Sequence, residues 1–188
     1  SLSEKNFQKT VFDGHDLSGK DLSKSSLWYS SFKNTNLENT NLRGADLMKT
    51  DLTKIKNKSL AGATLSDASF LLANLSGVNL SDVIIQGTNF LKTDLSGVDF
   101  TTIDKIDAVI FFNSNLSNSN FQGVNLSPDE LKTTIFKNKA HLDIELDASG
   151  DFNNRKLVKE LFGNVLDNVH IISTKVSGND LIVDWFFF

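Results

Sequence analysis

A chain of 188 residues with 39% hydrophobic content and a net charge of −4 is long enough for one domain, or for one with a small appendage, and sits within the range of soluble proteins. It has no cysteine, which excludes disulfides, a thiol nucleophile and thiolate metal sites and fits a reducing compartment. Its apolar runs, such as DWFFF, are too short to cross a bilayer, and the opening SLSEKN has neither the basic nor the apolar region of a signal peptide.

From Phe7 onward a large apolar residue recurs every five positions: Phe12, Leu17, Leu22, Leu27, Phe32, Leu37, Leu42, Leu47 and Leu52. The phase then slips by three residues and resumes from Leu60 to Phe100, and it slips by one more before continuing from Ile106 to Phe136. Two residues before the large ones small side chains dominate, as at Ala45, Ala63, Ala68 and Ala73, and Asn or Asp often lies between. Five is the period of neither a helix nor a strand. It suits a unit with two inward positions that turns one corner, provided successive turns of chain stack like neighbouring strands about 4.8 Å apart. One turn alone has no core, so stability must come from stacking.

The units GADL, LANL, GVNL and KTDL make the chain resemble the pentapeptide-repeat family, A(D/N)LxG, over roughly residues 5–136. The resemblance implies an all-β solenoid, a right-handed quadrilateral β-helix with four pentapeptides per coil. About six coils would make a tube roughly 31 Å long. Following every fourth unit puts Phe12 in a column with Phe32, Phe70 with Phe90 and Phe111, and Phe100 with Phe121. Lys5, His15 and Lys20 break the small inward position, all in the first coil, and are read as side chains leaning out to solvent rather than as a catalytic pair. The first slip, TKIKNKSL, predicts a bulge near 54–58 carrying Lys54, Lys56 and Lys58, which suits a solvated loop or contact with a phosphate or an acidic partner. The second slip predicts a smaller bulge near 102–105; Asp99, Asp104 and Asp107 beside it have no recognisable metal spacing.

Beyond Phe136 the pattern changes. The only proline precedes Asp129 and Glu130 in LSPDELKTTIF, as in the first turn of a short helix. HLDIEL alternates like a strand, NNRKLVKELFGNVLDNV places Leu157, Leu161, Phe162 and Val165 on one helical face, and VHIISTKV and DLIVDWFFF flank the turn SGND as a hairpin. The chain therefore divides into a β-helix over 1–136 and, over 137–188, a small αβ appendage that is either a cap or the start of a following domain. Trp185 to Phe188 would be buried against the tube, against a partner, or in a longer chain. The loop DASGDFNN faintly resembles a calcium loop, but Phe152 and Val158 stand where an EF-hand needs Gly and Glu. No catalytic constellation, metal site or cofactor is expected.

The residue just after each inward one points outward. On three faces these are mostly polar; on one they run Gln8, Trp28, Met48, Leu71, Leu91 and Phe112, with Tyr29 and Leu72 one place further on. A stripe of this size, on the order of 400 to 600 Å², calls for a cover. The chain's own C-terminal helix or hairpin is one candidate. The other is a partner protein docking on Trp28, Tyr29, Met48, Leu71, Leu72, Leu91 and Phe112, with Lys49 and Lys92 as a polar rim.

Some members of the family inhibit DNA gyrase by imitating DNA, which implies a strongly acidic dimeric rod. Here residues 1–60 hold 10 basic and 7 acidic groups, residues 61–131 hold 2 and 8, and residues 132–188 hold 7 and 8, so one end of the rod is basic. The preferred expectation is a non-catalytic protein-binding scaffold, with DNA-mimicking inhibition of gyrase or topoisomerase as the alternative. The chain is also similar to the β-helix part of SopA-like HECT-type bacterial effectors. That similarity implies a host protein as partner rather than nucleic acid, residence in the bacterial cytoplasm before secretion, and translocation into the host. The catalytic cysteine of such a ligase would have to lie elsewhere. The oligomeric state stays open.

Overall fold

A computed structural model describes residues 1–103, 106–111, 114–116 and 118–120, together with the backbone of 142–145, 169–177 and 180–187. In the repeat region, the residue before each large inward one pairs in parallel with its counterpart further along: Asn6 with Ser26, Val11 with Ser31, Asp16 with Asn36, Asp21 with Asn41. An offset of 20 residues is four five-residue units, so each coil has four sides. The amide of one coil donates to the next, as from Phe12 to the Ser31 carbonyl at 2.8 Å, while Ser31 donates back to Thr10 at 2.9 Å. Neighbouring coils thus satisfy one another's backbone, as strands in a sheet do.

The ladder resumes in register beyond each of the two slips. The offset widens to 23 at Asn41 with Thr64, Asp46 with Ser69 and Asp51 with Asn74, then returns to 20 at Ser59 with Asn79. Ile55, buried, takes the inward slot normally held by a small residue, and the next large inward residue is Leu60. The excess chain loops out between them as a short 3-10 segment, Lys56–Lys58, whose Asn57 and Lys58 adopt φ of 55° and 51°. At the second slip Ile103 and Ile106 are both buried, so the extra residue falls between these two inward positions, and the offset becomes 21 at Asn89 with Ile110.

The inward columns form the core. Phe12 stacks on Phe32 with ring centroids 5.3 Å apart, Phe70 on Phe90 at 5.4 Å, and Phe90 on Phe111 at 5.6 Å, as the fourth-unit register requires. Phe100 meets Phe111 edge-on at 5.7 Å. Small inward positions are often Ser or Thr, and their buried hydroxyls find carbonyls: Thr35 donates to Phe12, Thr88 to Leu65 and Thr93 to Phe70, each one coil back, at 2.6 to 2.8 Å. A buried hydroxyl is tolerated only with such a partner.

The Asn or Asp before the inward residue has its own task. Its Oδ1 accepts the amide two residues on: Asn6 from Gln8, Asp46 from Met48, Asn74 from Ser76, Asn89 from Leu91 and Asp94 from Ser96. This ties down the first residue of the corner. The corner closes by a hydrogen bond from the residue three after the inward one, as from Ala45 to Leu42 at 2.9 Å, and its third residue is left-handed. Gly62 fills one such corner at φ +68°, where an added Cβ would also run into the Asn39 side chain.

The C-terminal region forms a separate antiparallel sheet of β1 (Leu142–Glu145), β2 (Val169–Ser177) and β3 (Asp180–Phe187), ordered β1-β3-β2. The hairpin of β2 and β3 stands where the alternation placed it, with Val169 opposite Phe187 and a register shift between Ile171 and Ser173. The expected helices at 127–136 and 157–168, the loop DASGDFNN and the repeat units of Phe121, Leu126, Leu131 and Phe136 lie outside the described residues; Val169, expected to end the second helix, instead opens β2, where it pairs with Phe187.

Two outcomes follow from the corner chemistry. Replacing Asn74 by Ala removes the acceptor for the Ser76 amide and should cost about 1 kcal/mol. In a chain of this length that is a fall in melting temperature of roughly 2–4 °C, whereas Asn74→Asp should match the parent at neutral pH. The Ser18 hydroxyl, 2.6 Å from Asp16, followed by the Ser18 amide, holds the Asp16 carboxyl below its ordinary value of 3.8. A depressed carboxyl stabilises the fold above its unfolded pKa and loses that contribution as pH falls through the folded one. Thermal melts of Asp16→Asn should therefore show a shallower loss of stability than the parent below pH 3.8.

Candidate functional site

The side of the tube lined inside by Leu27, Leu47, Phe70 and Phe90, here the first face, carries the apolar stripe. Coil-to-coil hydrogen bonds fix its alignment: Lys9 donates to the Trp28 carbonyl, Tyr29 to Met48, Lys49 to Leu71 and Leu72 to Leu91, at 2.9 to 3.2 Å. Trp28, Met48, Leu71 and Leu91 therefore stack in one column, and Lys9, Tyr29, Lys49, Leu72 and Lys92 stack in the corner column beside it. The first four are half-buried, while Tyr29 and Leu72 are 46% and 44% exposed. Six of the seven residues singled out from sequence are thus brought onto one face; Phe112 lies outside the described residues.

Two lysines of the corner column lie over the aromatic rings. The Lys9 ammonium sits 5.6 Å from the Trp28 ring centroid, and the Lys49 ammonium sits 5.0 Å from that of Tyr29 while donating to its Oη at 2.6 Å. The two rings meet edge to face at 5.2 Å. Sequence reasoning placed Lys49 at an edge and passed over Lys9, although the 20-residue offset, applied to the corner column, would have aligned both with the aromatics. It also passed over Ile110, which precedes the inward Phe111 on this face and is 44% exposed.

The corners of the first face are anomalous in their residue types. On the second face, that of Phe32, the left-handed corners are Gly14, Asn34, Gly77, Gly97 and Asn118; on the third, that of Leu37, they are Gly19, Asn39, Gly62 and Asp82. On the first they are Lys9, Tyr29, Lys49, Leu72 and Lys92, all at φ between 56° and 60°. Left-handed backbone costs a residue with a Cβ roughly 1–2 kcal/mol, and a bulky residue there is an outlier. Among the described residues only long side chains occupy these corners, whereas the fourth face mixes Glu4 and Lys24 with Gly44, Asp67, Gly87 and Ala108.

Charge also divides the faces. On the fourth face, that of Leu42, Lys24 lies 3.4 Å from Glu4 and Arg43 lies 3.4 Å from Asp67. Among the described residues, Lys9, Lys49 and Lys92 make no ion pair, and neither do Lys54, Lys56 and Lys58 of the exposed bulge. Lys5, His15 and Lys20 are exposed, and His15 Nδ1 lies within 3.2 Å of the Phe12 and Asp13 carbonyls, as expected of solvated first-coil side chains. Among the described residues no group of three or more His, Asp or Glu could hold a metal ion, and no helix is long and apolar enough to cross a membrane.

A family model described as pentapeptide repeats matches the chain in 8 copies, over residues 1–39, 16–53 and 59–101, just over half of its length. No curated protein matches. Among solved structures, a pentapeptide repeat protein, Rfr23, from the cyanobacterium Cyanothece 51142 is similar at 18% identity and a TM-score of 0.46, covering 61% of this chain and 86% of that one. A pentapeptide repeat protein from the Arabidopsis thaliana thylakoid lumen is similar at 20% identity and a TM-score of 0.28, covering 84% and 90%. Full-length QnrB1, a plasmid-mediated fluoroquinolone resistance protein, is similar at 18% identity and a TM-score of 0.36, covering 82% and 84%.

Proposed function

The chain belongs to the pentapeptide repeat family, whose fold is the right-handed quadrilateral β-helix, and from that premise we propose that it is a non-catalytic scaffold that docks another protein on its first face. In this reading the tube has about six coils, residues 137–188 are a small αβ appendage, and Trp28, Tyr29, Leu71 and Leu72 anchor the partner, with Phe112 continuing the stripe. The observation that carries the reading is the corner column. Tyr29 and Leu72 hold a left-handed conformation that Gly or Asn would adopt at lower cost, and their side chains project outward, 46% and 44% exposed. Strain retained on an exposed face points to use of that face. The similarity to SopA-like effectors extends the proposal to a host protein as partner and to a ligase whose catalytic cysteine lies outside this chain; that similarity is its sole support.

DNA imitation, the alternative, fits poorly with this face, because duplex mimicry needs carboxylates where Lys9, Lys49 and Lys92 stand. Melting and supercoiling separate the readings. Leu72→Asn should leave the melting temperature unchanged or raise it by up to about 4 °C, and Trp28→Ala should change it little. A fall of more than about 4 °C in either would put the stripe under the chain's own packing and overturn the docking reading. The purified chain should leave gyrase supercoiling unaffected, and potent inhibition would establish the alternative.

A further inference from the structure

We propose that the occupant of the first face is an acidic amphipathic helix of a partner protein, lying along the tube axis with its apolar side on Trp28, Met48, Leu71 and Leu91 and carboxylates against Lys9, Lys49 and Lys92. This rests on the docking reading above and gives the partner its chemistry. The three ammonium groups are exposed and face no carboxylate in their own column, whose members alternate Lys9, Tyr29, Lys49, Leu72, Lys92. The one acid on the face among the coils from Lys9 to Lys92 is Asp46, and its Oδ1 is engaged by the Met48 amide. A row of three exposed cations, two of them seated over aromatic rings, is an incomplete electrostatic surface, and an acidic partner completes it.

The spacing selects a helix. Successive coils are about 4.8 Å apart, so lysines on alternate coils are about 9.6 Å apart. A helix rises about 1.5 Å per residue, so its heptad repeat advances about 10.5 Å, and its apolar seam, averaging half a heptad, steps about 5.2 Å. Over the three steps from Trp28 to Leu91 the mismatch accumulates to only about 1.4 Å, well under one seam step. An extended strand presents same-face side chains about 6.6 Å apart, which matches neither spacing.

Other occupants fit less well. A second copy of the face would set lysine against lysine. The chain's own 155–169 segment carries Glu160 and Asp167 one heptad apart, but Arg155, Lys156 and Lys159 outnumber them and leave residues 155–169 with a net charge of +1, a poorer complement to three lysines than an acidic helix. An anionic membrane would also meet Asp51 and Asp94 on the adjoining second face, which a helix about 10 Å wide avoids.

The test uses three 18-residue helical peptides with the same Leu seam and with Glu, Gln or Lys at the flanking positions, labelled for fluorescence anisotropy, and phosphatidylserine vesicles as a fourth probe. The Glu peptide should bind at least tenfold more tightly than the Gln peptide and lose at least tenfold in affinity with the variant carrying both Lys49→Glu and Lys92→Glu. That variant should in turn gain affinity for the Lys peptide. Leu71→Asp should abolish binding of every peptide. If the Gln peptide binds as well as the Glu peptide and Leu71→Asp still abolishes both, the docking face stands and the acidic partner is wrong. If no peptide binds, or binding ignores Leu71→Asp, both fail. Vesicle binding that disappears with the same lysine reversals, without peptide binding, would replace the helix with a lipid surface.

Discussion

Everything in the repeat region depends on one coil stacking on the next in register. A five-residue unit has no interior of its own; Phe90 is buried because Phe70 lies on one side of it and Phe111 on the other. The same stacking pairs the backbone, since the amide of Phe70 donates to Asn89 while Asn89 donates back to Ala68. Side-chain burial and backbone satisfaction therefore fail together if register is lost. This explains where the two insertions sit. Both fall between the two inward positions of a unit, after Ile55 and after Ile103, so the next large residue returns to its column.

Because the inside and the backbone carry stability, most outward residues are free to serve other ends. The Asx acceptor before the inward residue and the left-handed corner after it are local devices, supplied mostly by Asn, Asp and Gly on the second and third faces. The first face meets the acceptor requirement through Asn6, Asp46 and Asn89 but gives its described corners to Lys9, Tyr29, Lys49, Leu72 and Lys92. The fourth face shows the ordinary way to place charges on such a tube: Lys24 against Glu4 and Arg43 against Asp67, opposite signs one coil apart and largely solvated, hence worth little to stability. On the first face Lys9 and Lys49 stack on rings instead. Two faces of one scaffold thus use lysine differently, one neutralising it internally and one leaving it directed outward.

The five-residue period by itself determined the inward columns and, through the every-fourth-unit register, the Phe12 with Phe32 and Phe70 with Phe90 stacks, because burial requires a large apolar residue at each inward site and leaves a signal at every one. It likewise placed the outward stripe, since a residue's face is fixed by its offset from the inward one. The slips were legible as breaks in phase, but not the slot that absorbs them; burial of Ile55 and Ile103 in the small inward position was settled only by how the corner opens in three dimensions. Which outward side chains meet was also decided only by tertiary structure. Lys9 reaches Trp28 and Lys49 reaches Tyr29 across neighbouring coils, through flexible side chains whose direction no period encodes, so Lys49, expected at an edge, lies over an aromatic ring instead.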